Sequence, residues 1–170
     1  GIEVLECMIP EVIKQCPHTH FLLIGDGPRK SMLEQSIRKA GVAHVVTYAG
    51  IVPQHEARNY LAACDVFLSP TQPNADGKRF FGSPTKLFEY LSMGKPVIVS
   101  DLEQIAEIVN PALMVHQLSN IEPKEVIGIR VHPHDIDGFI AAACYVARAH
   151  KQQRESMGWR ARQLVSRRFT

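Results

Sequence analysis

Lys86 and Glu89 set a cation and a carboxylate three residues apart in Ser83-Pro84-Thr85-Lys86-Leu87-Phe88-Glu89-Tyr90-Leu91. The spacing predicts a helix from Pro84 to Met93, with Ser83 suited to cap it and Pro84 to its first turn. The free N–H groups of that turn, joined by the Lys86 ammonium, would form a small positive concavity suited to phosphate. Glu89 falls on the same face as Thr85, Lys86 and Ser92, while Leu87 and Leu91 turn toward a core. The plainer reading of the same residues is an exposed Lys86–Glu89 pair at i,i+3, worth about 0.2–0.5 kcal/mol.

Gly25 and Gly27 stand in Gly25-Asp26-Gly27-Pro28, after the apolar run Phe21-Leu22-Leu23-Ile24. A full dinucleotide fingerprint needs another glycine where Lys30 stands, so a dinucleotide cofactor is disfavoured. A tight strand-to-helix turn, with Pro28 at the first helical position, is the plain alternative. Between the two lies a backbone kept bare for close approach by another ligand. Asp135-x-Asp137 has the spacing of an acidic metal pair, but it opens an expected helix, where capping explains it. His18-x-His20 and His132-x-His134 have no further ligand at zinc spacing and read as surface or strand-end residues. No metal site is expected.

These residues need a scaffold, and the chain spells one out. Ile2, Leu5, Met8, Ile9, Val12, Ile13 and Cys16 recur at helical steps. Short apolar runs follow at 21–24, 45–49, 66–68, 97–99, 113–115 and 127–131, the first expected to be a buried strand. Helices are expected at 29–39, with Met32, Leu33, Ser36 and Ile37 inward, and at 53–64, 135–150 and 151–168. The polar loop from Thr71 to Ser83 is long enough to be functional. Strands alternating with helices predict an α/β fold: an open, mostly parallel, Rossmann-like sheet with helices on both faces. Its ligand would sit at the carboxyl ends of the strands.

The bulk numbers agree. The 170 residues carry 45% hydrophobic and 21% charged side chains and a net charge of +2. That suits one domain with a sizeable core and excludes disorder, collagen and coiled coil. The near-neutral total gives no reason to expect nucleic acid. No apolar run reaches the ~20 residues of a membrane span. Cys7, Cys16, Cys64 and Cys144 form no C-x-x-C pair and read as reduced thiols, which places the protein in the cytoplasm. Arg148, Lys151, Arg154, Arg160, Arg162, Arg167 and Arg168 make the last helix basic. A solvated face is the default, and peripheral contact with anionic lipid is the alternative. The chain opens on Gly1 directly into a helix, so it reads as a piece of a larger protein.

Ile24-Gly25-Asp26-Gly27-Pro28, Tyr48-Ala49-Gly50-Ile51-Val52, Ala63 to Pro70 and above all Gly82 to Val97 resemble the donor-binding half of GT-B-fold retaining glycosyltransferases. The group 1, or family four, enzymes are the match. Met157-Gly158-Trp159-Arg160-Ala161-Arg162 is similar to the usual end of that domain. The resemblance implies a nucleoside diphosphate sugar as donor, UDP- or GDP-linked, transferred to an acceptor hydroxyl with retention and without metal or other cofactor. Polysaccharide, glycolipid or glycoprotein synthesis is the implied setting. Donor contacts would come from Glu89 (to the ribose), Lys86, Leu87, Thr85, Ser83, Gly25, Gly27 and Val52. An amino-terminal acceptor domain is expected beyond this chain, so 1–170 is expected to be one donor-binding domain, inactive alone. The first of the family's paired glutamates falls on Phe81, which cannot accept a hydrogen bond, and Asp76 or a loop backbone group would have to substitute. A non-catalytic domain of the same fold, binding a nucleotide or a partner, is the rival reading.

Overall fold

Alternation of apolar residues along one strand shows how the layers form. In a computed structural model, which describes residues 1–73, 85–118 and 125–168, strand β4 (Val97–Ser100) is buried throughout. Val97 and Val99 enter one hydrophobic cluster, and Ile98 enters the other. Successive side chains point to opposite faces of a strand, so β4 is the partition between two cores. Such burial on both faces is characteristic of parallel sheets.

The first core is roofed by α1 (Ile2–Gln15), α2 (Lys30–Lys39) and α6 (Ile136–Arg148). Val4, Met8, Ile9 and Val12 of α1 meet Leu33 and Ile37 of α2 and Phe139, Ala142 and Cys144 of α6. The second core lies under α3 (Gln54–Ala62), α4 (Thr85–Ser92), α5 (Glu103–Ile108) and α7 (Lys151–Arg168). Leu61, Leu87, Leu91, Ile105, Ile108, Ala161 and Val165 pack there against Phe67, Val97 and Val99. The expected α/β class with helices on both faces is therefore observed.

Among the described residues the strands form two hydrogen-bonded sheets rather than one. β1 (Phe21–Ile24) pairs in parallel with β2 (Val46–Gly50), Phe21 opposite Val46 and Ile24 opposite Gly50. The other sheet has the order β3-β4-β6-β5, all parallel, with β3 at Phe67–Ser69, β5 at Leu113–Met114 and β6 at Gly128–Val131. The expectation of a buried β1 is corrected: Phe21, Leu22 and Leu23 are half-buried and Ile24 is exposed. A strand paired on one side only keeps part of its surface open.

Two further expectations change. Met32 is 54% exposed because Leu33 and Ile37 alone take the inward stripe of α2. α5, absent from the sequence reading, is a single short helix whose Ile105 and Ile108 reach the second core. Gly158 lets α7 lie against the end of α4, because a Cβ there would collide with the backbone of Gly94 and Lys95. No helix among the described residues is long and apolar enough to cross a membrane.

Candidate functional site

The carboxyl ends of β1, β2 and β3 lie where a ligand is expected, and their turns are tied together. Gly25 has φ 125°, a conformation that side chains resist. Its N–H donates to the Gly50 carbonyl across 2.7 Å, joining the turns after β1 and β2. The Gly27 N–H donates to the Asp26 carboxylate at 2.7 Å. A Cβ at Gly25 or Gly27 would meet nothing within 4 Å. Gly25 is thus required by backbone conformation, whereas Gly27, with no positive φ, is bare without local need. Pro28 is not the first helical residue: α2 begins at Lys30, with Arg29 as its N-cap. Val52 is half-buried in the turn after β2, beside Ile51, which is 82% exposed.

The start of α1 closes the other side. Gly1 abuts the carbonyl of Pro70, just past β3. The Glu3 carboxylate pairs with the Arg29 guanidinium, and Lys30 lies 3.6 Å from Asp26. The Gly1 nitrogen lies within electrostatic reach of both Arg29 and Lys86. Those couplings make Arg29 and Lys86 neighbours of one point, although they are far apart in sequence.

Lys86 and Glu89 are both exposed on α4, while Leu87 is buried. Leu87 therefore has only its backbone to offer a ligand. Desolvation lowers the Lys86 pKa, although part of the side chain reaches the surface. Among the described residues no ion pair joins Lys86 to Glu89, so the plain i,i+3 pair is not formed. Tyr90 anchors the helix by stacking on Phe67 of β3, ring centres 4.3 Å apart and 11° from parallel. Burial, then Cys64 and Glu89, pushes its phenol up to about 12. Leu87, Tyr90 and Leu91 hold one side of α4, leaving Lys86 and Glu89 free of the core. Thr85 is exposed at its start. Ser83, together with Phe81 and Asp76, lies outside the described residues.

Beyond β4 the polar groups are structural. Asp101 lies 3.5 Å from Arg130, whose Nη1 donates to the Ala106 carbonyl of α5. Gln72 donates to the Pro133 carbonyl at 2.7 Å. Asp135 accepts from the Gly138 N–H at 2.8 Å, the capping role expected of it. The His20 ring bonds the Thr47 hydroxyl at 2.8 Å. The described residues contain no cluster of three or more metal-ligating side chains.

The basic stretch of α6 and α7 is partly committed. Arg148 donates to the Gln15 carbonyl, Arg154 to the Ala149 carbonyl that ends α6, and Arg160 to the Val126 carbonyl. Sequence reasoning assigned these guanidinium groups to a solvated or lipid-facing surface. It also read Lys30 only as a missing glycine and passed over Arg29. The signal was present in two consecutive basic residues directly after a glycine turn.

Comparison with known proteins agrees with this geometry. The profile of the family described as glycosyl transferases group 1 matches residues 1–148. The amylovoran biosynthesis glycosyltransferase AmsK of Erwinia amylovora is 30% identical over 109 residues, 64% of this chain and 26% of AmsK. The phosphatidylinositol N-acetylglucosaminyltransferase gpi3 subunit of Schizosaccharomyces pombe is 30% identical over 108 residues, 64% of this chain and 22% of that protein. The chain thus spans about a quarter of these relatives. A TarM variant of S. aureus, solved with fondaparinux, alpha-GlcNAc-glycerol and UDP, superposes with a TM-score of 0.79 at 15% identity, over 99% of this chain and 30% of TarM. Anabaena HepE, solved with UDP and glucose, gives 0.71 at 21% identity, over 95% of this chain and 40% of HepE. The fold is that of GT-B glycosyltransferases, and the chain belongs to the group 1 glycosyltransferase family.

Proposed function

We propose that this chain is the donor-binding domain of a retaining glycosyltransferase that moves a sugar from a nucleoside diphosphate sugar to an acceptor hydroxyl. The observation that carries the reading is the meeting of bare glycine turns, the start of α1 and Lys86 at one carboxyl edge. Glu89, exposed and without an ion-pair partner on α4, accepts hydrogen bonds from the ribose hydroxyls. Lys86 and the first-turn N–H groups of Thr85, Lys86 and Leu87 face the diphosphate, and Ser83 is a further donor contact in this reading. Gly25 and Gly27 give the donor room, and Val52 lines the same edge.

The chemistry of such a site is electrostatic. Charge that develops on the departing diphosphate meets fixed dipoles and an ammonium already in place. No metal takes part in this scheme. The acceptor is presented by a separate domain of the intact protein, so this domain binds donor but transfers nothing alone. UDP is the first nucleotide to test, since TarM and HepE were solved with it. A relative named for GDP-mannose makes GDP the second. The intact enzyme works in polysaccharide, glycolipid or glycoprotein synthesis on the cytoplasmic side. Any contact with anionic lipid runs through the outer residues of α7, such as Lys151, Arg162 and Arg167.

Calorimetric titration of the chain with UDP-, GDP- and ADP-linked sugars tests the proposal. One nucleotide series should bind with micromolar to millimolar affinity, and its 2′,3′-dideoxy analogue should bind more weakly. Absence of binding by all three series would overturn it.

A further inference from the structure

Trp159 is the single tryptophan of the chain, and it is 61% exposed on α7. Tryptophan is highly buried on average, so an indole left this open offers a ligand a large apolar plane. Gln152, Glu155, Ser156 and Trp159 follow one another at i, i+3, i+4 and i+7 and share one stripe of the helix. Met157, Ala161 and Val165 form the opposite, buried stripe. The four outer residues are all exposed, and with Arg160 they line an open cleft of about 430 Å³. Arg160 is fixed at its edge by donating to the Val126 carbonyl at 3.0 Å, and Lys151 stands 3.7 Å from Glu155. Gly158 rests against Gly94, past the end of α4, so the cleft lies away from Thr85 and the donor edge.

We propose that this face of α7 is a saccharide-binding subsite, in which a pyranose ring of a glycan chain stacks on the Trp159 indole. A pyranose has the matching chemistry: a face of C–H groups for an aromatic plane, and a rim of hydroxyls that donate and accept. The Gln152 amide, the Glu155 carboxylate and the Ser156 hydroxyl supply acceptors and donors for that rim. An apolar plane with a few placed polar groups is the usual make-up of a small-ligand site. Anionic lipid suits the stripe less well. Glu155 offsets Lys151 beside the indole, and Gln152, Glu155 and Ser156 give a bilayer nothing apolar to bury. A glycan held here is remote from the donor edge, so the subsite tethers a chain rather than presenting the reacting hydroxyl. It does not depend on the donor assignment.

Because the chain has one tryptophan, its emission reports on this face alone. The chain is titrated with maltohexaose, cellohexaose, chitohexaose and mannohexaose while the emission is followed. At least one should shift or quench it saturably at millimolar concentration or below, and the matching disaccharide should bind more weakly. Excess UDP should leave that affinity unchanged. By calorimetry, Trp159→Ala should lose about tenfold or more in affinity for the same saccharide. Trp159→Phe should lose less, Gln152→Ala should weaken binding severalfold, and Tm should hold in all three. Failure of all four saccharides to bind, binding untouched by Trp159→Ala, or competition by UDP overturns the proposal. So does an emission change with phosphatidylglycerol vesicles and with none of the saccharides, which would assign the face to lipid.

Discussion

β4 and β1 are both short, four-residue strands rich in apolar side chains, and the molecule uses them in opposite ways. β4 lies between two partners and is buried on both faces, whereas β1 has one partner and stays half open. Around β4 the side chains serve packing. Around β1 and β2 the turns carry Gly25, Gly27 and Ile51 on open surface with Val52 half-buried beside them, and Ile24 and Ile51 are 41% and 82% exposed. The difference separates two uses of a strand: β4 is packed on both faces, whereas the β1–β2 pair adds Val46 to the first core and leaves its carboxyl edge open.

Substitutions on the packed side should break the fold first. Leu91→Ala empties a fully buried position of α4 in the second core. A loss of about 2–5 kcal/mol is expected, read from urea unfolding. Gly158→Ala drives a methyl group into the backbone of Gly94 and Lys95. It should cost about 1–3 kcal/mol, seen as a lower urea midpoint with an unchanged slope. A stability change under 0.5 kcal/mol in both variants would erase the contrast.

Substitutions at the open edge should do the reverse. Glu89→Gln keeps the shape and removes the charge, so nucleoside diphosphate affinity should fall about 10- to 100-fold with Tm unchanged. The 2′,3′-dideoxy analogue should bind wild type and the variant equally, which isolates the ribose contact. If Lys86 meets the diphosphate as proposed, Lys86→Ala should weaken binding about tenfold at low salt and less as salt rises. In wild type, burial already lowers the Lys86 pKa. Binding should therefore fall as pH rises and the ammonium gives up its proton. Ile51→Ser, at the most open apolar position of the edge, should leave stability within about 0.5 kcal/mol by thermal unfolding.

Much of the packed side was legible because periodicity survives there. Leu87 and Leu91 sit one helical turn apart and are both buried. Asp135 was readable as a cap because its acceptor serves the chain three residues on. The half-burial of β1 was not, since an apolar run says nothing of how many partners the strand will find. α5 was missed because six residues give too short a period to recognise. Arg160 was misjudged for a different reason: its acceptor, the Val126 carbonyl, is supplied by a distant segment. The candidate site was legible as a motif on α4, but the pairing of Arg29 with Glu3 exists only after folding.

The seating of α1 against α6 also sets a timetable. Within this stretch α1 is synthesised well before α6, and Arg148 reaches back to Gln15 across 133 positions. At about 5–20 residues per second, a ribosome needs on the order of ten seconds to deliver the partner after α1 has been made. During that interval Val4, Met8, Ile9 and Val12 have no finished roof to shelter them. Contacts between elements so far apart in sequence slow folding. In the cell it depends on whatever covers that helix until synthesis catches up.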